Sequence, residues 1–164
     1  MMDLNKIIYR DQVRETDPAE VCRIVESTGF FHVAEIEIAE ELVQERLTKG
    51  LASGYYFVLA ETHGRLLGYA CFGPIPCTQN RYDVYWIAVR NDLRGLGLGR
   101  ELMTRVEKQI KALAGERVYV ETSGRELYIP THMFYKNCGY RQEANIKDFY
   151  SQGDDKIIFL KSLI

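Results

Sequence analysis

Hydrophobic and polar positions follow two different periods along the chain, and the changeover from one to the other organises it. Early on the period is helical. Between Ile36 and Lys49, the positions Ile38, Ala39, Leu42, Val43, Arg46 and Leu47 recur at helical spacing, and Gly50 ends the run. Ahead of it, a short apolar stretch "KIIYR" leads to "DPAE", which reads as a helix start. Asp17 is placed to cap, Pro18 fits the first helical position, Glu20 completes a capping box, and Gly29 is the stop. The period then shortens. "YYFVLAE", "LLGYACFG" and "YDVYWIAV" are rich in aromatic and β-branched residues and predict three successive strands, the first two joined across "THGR".

Beyond these strands the helical period returns most clearly. Leu102, Met103, Val106, Ile110 and Leu113 form a stripe closed by Gly115. "RVYVET" predicts another strand, and "IPTHMFYKNCGY" a short helix with Pro130 near its start and Gly139 at its end. "YRQEANI" and "KIIFLKSL" predict two last strands, with "DFYSQGDDKIIF" supplying a hairpin loop that carries Phe149, Tyr150, Asp154 and Asp155. Two helices, three strands, helix, strand, helix and two strands define a mixed α/β domain.

Composition narrows the class without changing this order. The 164 residues suit one domain with a full core, at 46% hydrophobic and 27% charged. A formal net charge of −2 argues against a protein that wraps nucleic acid. No apolar run is long enough to span a membrane, and the opening "MMDLNKIIYRDQ" lacks the apolar segment of a secretory signal. The expectation is cytoplasmic. Cys22, Cys71, Cys77 and Cys138 form no metal-binding spacing and read as small buried hydrophobes in a reducing compartment, so no metal is expected.

The densest chemistry lies between the third strand and the long helix. "GLGLG" holds three of the 13 glycines, with Arg94 before it and Arg100 after it. A helix start presents unpaired amides and the positive end of the dipole, and glycines let the backbone approach an anion closely. Arginines add forked donors. A diphosphate is the physical inference. The P-loop pattern fails because Arg100 and Glu101 follow Gly99, and the dinucleotide spacing fails because the glycines run G-x-G-x-G. Glu121, about 20 residues on, keeps a nicotinamide-dependent oxidoreductase open. A plain turn without a ligand is the bland alternative. The pattern that does match is [QR]-x-x-G-x-[GA], met by Arg94, Gly97 and Gly99.

With that pattern, and with "FYKNCGY" one strand later, the sequence resembles the GNAT superfamily of acyl-CoA-dependent N-acetyltransferases. The resemblance implies a mostly antiparallel sheet of six to seven strands flanked by four helices, formed as a single domain over residues 1–164. It implies acetyl-CoA as co-substrate, its pyrophosphate held by Arg94, Gly95, Leu96, Gly97, Leu98, Gly99 and Arg100. The backbone of Ile87, Ala88 and Val89 would hold the pantetheine arm and polarise the thioester. Tyr128 and Thr131 depart from the family pattern, standing where many members carry asparagine and alanine.

Acetyl transfer needs a neutral amine and a protonated leaving thiolate. A lysine-like amine is less than about 0.1% neutral at pH 7, so a base helps. By the resemblance, Tyr135 would be the acid and Asp83 the base, with Glu121 or a water chain as rivals for the base; His132 could also titrate usefully. Alternation puts Asp83, Tyr85 and Ile87 on one strand face and Val84, Trp86 and Ala88 on the other. The acceptor would be a small-molecule amine or a peptide or protein amine. An acidic helix start at Glu35, Glu37, Glu40 and Glu41 reads as a solvated face, though it would also attract cations. No nucleic acid or membrane partner is expected, and a homodimer is allowed. The alternative from another class is a non-catalytic acyl-CoA sensor.

Overall fold

A computed structural model describes residues 6–164; the first residues of the opening stretch lie outside the described ones. In chain order the elements are β1 (Ile8–Arg10), α1 (Asp17–Thr28), α2 (Val33–Lys49), β2 (Tyr56–Thr62), β3 (Arg65–Pro74) and β4 (Arg81–Val89). They continue with α3 (Leu98–Ala112), β5 (Arg117–Ser123), α4 (Ile129–Asn137), β6 (Arg141–Ser151) and β7 (Asp154–Ser162). Seven mostly antiparallel strands and four α-helices among the described residues are the sheet and helices that the resemblance implies; the two periods predict the mixed class and all of these elements except β1 as a strand. No helix among them is long and apolar enough to cross a membrane. The chain forms two compact units. One takes residues up to Gly73 and Trp86–Val106, the other Pro74–Tyr85 and Glu107–Ile164.

In the first unit β1 pairs antiparallel with β2, and β2 with β3. The β2–β3 connection is a two-residue turn at His63 and Gly64, with φ of 47° and 74°. Positive φ at both central residues is the twist that a tight hairpin needs. Nearly every residue of β2 and β3 is buried, as in strands covered on both faces. The core joins Val21, Ile24 and Val25 of α1 to Ala39 and Val43 of α2, and these to Phe57, Leu59 and Tyr69 of the strands.

The α1 start differs from the expected one. Asp17 makes no cap bond; it is buried and receives both terminal nitrogens of Arg10, at 2.6 and 2.7 Å. Its Oδ2 also accepts the Arg14 backbone N–H at 2.6 Å, and Arg10 Nε bonds Glu61 of β2 at 2.8 Å. Glu20 pairs with Arg23 rather than closing a box. The capping-type bond lies at α2 instead, where the Glu35 carboxylate accepts from the His32 N–H at 2.8 Å. That bond starts α2 at Val33, three residues earlier than Ile36. Cys71 alone of the four free cysteines is fully buried, and Cys77 is exposed.

In the second unit β4 and β5 run parallel, Asp83 opposite Tyr119. β7 pairs antiparallel with both β5 and β6, so it lies between them. The expected hairpin loop contracts to Gln152 and Gly153, because β6 runs on through Phe149 and Tyr150 to Ser151 and β7 begins at Asp154. Phe159 of β7 is fully buried and packs Tyr135 of α4 at a ring separation of 5.5 Å. Gly115 lacks a side chain for a steric reason. A Cβ there would lie 2.9 Å from the Tyr82 ring and closer still to Ile110.

The Arg10–Asp17 pair generates a stability prediction. Removing Asp17 takes the two-pronged carboxylate from the Arg10 guanidinium, leaving its Nε bond to Glu61, and takes the acceptor from the Arg14 N–H, which together cost about 3 kcal/mol. Asp17→Ala should lower the urea unfolding midpoint accordingly, and an unchanged midpoint would show the pair to be inert.

Candidate active site

In the first unit β4 delivers the chain to the glycine-rich turn. Ala88 is buried, and β3 approaches its carbonyl because Gly68 has no side chain: a Cβ at Gly68 would lie 2.9 Å from Ala88 O. The Arg90 N–H then donates to Leu67 O at 2.9 Å, and Ile87 and Val89 flank Ala88 half-buried. A short 3-10 turn, Asn91–Leu93, follows. The Asn91 N–H donates to Ser27 Oγ at the end of α1 at 3.3 Å, and the Arg94 guanidinium lies 4.8 Å from the Phe30 ring centroid. The turn is therefore anchored on α1 before the glycines begin.

Gly95 and Gly97 have φ of 77° and 83°, values that residues with a Cβ adopt only under strain. Open space lies beside both: a Cβ at either would meet nothing within 4 Å. Leu96 between them is exposed, Leu98 is buried, and Gly99 and Arg100 belong to the first turn of α3. The first helical bond runs from Glu101 N–H to Gly97 O at 3.1 Å. Helix geometry thus leaves the amides of Leu98 and Gly99 without an intrahelical acceptor, at the positive end of the dipole. Open space beside the turn, amides without an intrahelical acceptor, and the exposed Arg94 and Arg100 are features that suit a diphosphate. Steric exclusion inside the protein is not why glycine stands at Gly97; the backbone angle is.

In the second unit β4 and β5 bring Asp83, Glu121 and Lys156 together. Asp83 faces the same side as Tyr119, its parallel partner, and Glu121 two residues on faces that side too. Ser123 pairs with Lys156 across β5 and β7, which carries Lys156 to the same face. Lys156 Nζ bonds Glu121 at 2.7 Å and lies 3.7 Å from the Phe149 ring centroid. The opposite face of β4 is buried at Tyr82 and Val84, so the alternation is as the pattern requires.

Burial pushes the Asp83 carboxyl up to about 6, with a further push from Glu121 and an opposing pull from Lys156. Glu121 is 46% exposed and already committed to Lys156. A half-buried carboxyl titrating near neutrality is the better proton acceptor of the two. Tyr135 sits at 5% exposure, its ring against Phe159, Tyr140 and Phe134. Burial raises its phenol above the ordinary range, with a smaller contribution from Cys138, so it holds its proton at any working pH. His132 is no free surface group: its Nε2 bonds the Ser123 carbonyl at 2.7 Å. Tyr128 precedes α4 and Thr131 lies in its first turn. The Glu121–Lys156 pair and the His132 bond are beyond sequence reasoning, because the first depends on the β5–β7 register and the second on how α4 packs against the end of β5.

Comparison with known proteins agrees with this architecture. The Acetyltransferase (GNAT) family matches residues 19–140. An uncharacterized N-acetyltransferase of Methanocaldococcus jannaschii is 27% identical over 131 residues, 76% of this chain and 81% of the relative. A solved GNAT-family acetyltransferase structure from Desulfovibrio desulfuricans is 44% identical, with a TM-score of 0.95 over 96% of this chain and 99% of that one. An aminoglycoside 6'-N-acetyltransferase solved with coenzyme A shares the fold at 17% identity, TM-score 0.74, over 96% and 97% of the two chains. The fold and the glycine turn thus define an acyl-group transferase, and the chain belongs to the GNAT acetyltransferase family.

Two predictions follow from these geometries. Gly97→Val forces a β-branched residue to positive φ and fills the open space; coenzyme A affinity should fall at least about tenfold, and unaltered affinity in calorimetry would remove the turn from the cofactor site. For Asp83 the sign is set by its raised value. The folded state holds the proton more tightly than the ordinary carboxylate at 3.8, so stability falls as pH rises from about 4 to about 6. Asp83→Asn should therefore melt higher than the native chain at pH 8 and near it at pH 4. Equal melting at both would contradict the burial of the charge.

Proposed function

We propose that the protein transfers the acetyl group of acetyl-CoA to a primary amine by direct attack, with both substrates bound together. The observation that carries this reading is the divergence of two titrating groups. In one unit, burial holds Asp83 near 6 and keeps Tyr135 protonated, and acid and base roles follow from groups whose environments separate them in this way. Acetyl-CoA supplies the activated acyl group and departs as a thiolate. Asp83, ionised above about pH 6, takes a proton from the bound ammonium, directly or through water, and the neutral amine then attacks the thioester carbonyl. Tyr135 donates a hydrogen bond and then its proton to the departing sulfur.

On this reading Arg94, Gly95, Leu96, Gly97, Leu98, Gly99 and Arg100 bind the pyrophosphate, and the backbone of Ile87, Ala88 and Val89 orients the thioester. The full span 1–164 serves as one acetyltransferase domain, working in the cytoplasm. The acceptor is a small-molecule, peptide or protein amine, and the aminoglycoside acetylated by a protein of the same fold makes that class one arm of the test.

The test is thiol release from acetyl-CoA across a panel of aminoglycosides, polyamines, amino acids, peptides and lysine-bearing proteins, with mass spectrometry of the products. Amine-dependent release with an acetylated product is expected; coenzyme A binding without release across the panel would make the protein a sensor. Within the active combination, Tyr135→Phe should lower kcat about a hundredfold with KM for acetyl-CoA little changed. Unchanged turnover would remove Tyr135 from the chemistry.

A further inference from the structure

The corner between β5 and α4 is fixed by a small polar network. The Ser123 hydroxyl, at the end of β5, donates to Asp154 Oδ1 at 2.5 Å. Its oxygen accepts from the backbone N–H and the Nε of Arg125, both at 3.2 Å. Arg125 Nε also reaches Asp154 Oδ2 at 3.2 Å, and the Gly124 N–H donates to Asp155 O at 2.7 Å. Ser123 and Asp154 are both buried, so the bond that ties the corner to the start of β7 is largely shielded from solvent, with Arg125 at its exposed rim.

His132 attaches α4 to this corner. Its Nε2 lies 2.7 Å from the Ser123 carbonyl, which can only accept, so Nε2 carries the hydrogen. The His132 ring stands 5.7 Å from the Phe159 ring, and Tyr135, three residues on along the same helix, stands 5.5 Å from that same ring. Residues three apart share a helix face, so the Ser123 bond and the Phe159 contact together set the rotation and height of the turn that carries Tyr135. α4 is only 9 residues long, too short for its own ladder to hold it in place.

We infer that His132 is a positioning residue for Tyr135: its bond to the Ser123 carbonyl fixes the aim of the phenol. The inference rests on the reading of Tyr135 as the leaving-group acid. It assigns His132 no proton transfer, since the bond forms whether or not the other ring nitrogen is protonated.

The test is a double-mutant cycle in the full-length chain, read by steady-state kinetics and thermal unfolding. His132→Phe keeps a ring against Phe159 and removes only the donor. In the native background it should lower kcat about tenfold with KM for acetyl-CoA within about twofold, and His132→Gln, which offers a donor again, should restore most of the loss. In the Tyr135→Phe background the same change should cost less than about twofold, because there is no longer a phenol to aim. Equal losses in both backgrounds, or no rescue by His132→Gln, overturn the positioning role. A Tyr135→Phe variant with native kcat overturns the acid reading instead, so the two failures are distinguishable. If His132→Phe does not fold, His132→Met, also without a donor, takes its place in the cycle.

Discussion

The turn from β4 into α3 depends on a backbone constraint at two residues. Gly95 and Gly97, at φ of 77° and 83°, turn the chain out of β4 and into α3 by a path closed to ordinary side chains. The path leaves the first amides of α3 aimed at open space and leaves that space unfilled. Gly68 makes a matching provision inside the sheet, where its missing side chain lets β3 press against the Ala88 carbonyl just upstream. Glycines thus set both the strand that approaches the turn and the turn itself. The arginines matter after this. Arg94, stacked over Phe30, and Arg100 add charge to a cradle whose shape the backbone has already made.

The second unit works through burial rather than backbone angle. A single strand pair places Asp83 half out of water and beside Glu121, which makes its charge costly without forbidding it. Lys156 moderates the effect, and Phe149 holds Lys156 in turn. Tyr135 is buried by aromatic neighbours and keeps its proton. One environment makes a carboxyl receptive to a proton near neutral pH, and another makes a phenol retain its own.

What was legible in the sequence was local. The α3 stripe, the His63–Gly64 turn and the glycine-rich helix start all depend on residues a few positions apart, and each stands where its pattern placed it. What was not legible was set by partners far along the chain. Asp17 resembles a helix cap because aspartate before a helix usually caps; here Arg10 and Glu61 form a buried charge network that outbids the cap for it. Phe149 and Tyr150 sit among turn-forming residues, yet β6 continues through them, across an irregular stretch of the β6–β7 ladder, to Ser151. Alternation could name Asp83 as a candidate but could not separate it from Glu121. On the proposed reading the two are distinguished by Lys156, which only the β5–β7 register brings to Glu121.

The central claim is that the amine attacks the thioester directly, with no acetylated enzyme between. Initial velocities measured while acetyl-CoA and a turned-over amine are both varied test it most directly. Lines that intersect in the double-reciprocal plot, with no acetyl adduct on the intact protein after incubation with acetyl-CoA alone, are the predicted result. Parallel lines together with an acetylated side chain would contradict it and move the chemistry onto a nucleophile of the protein.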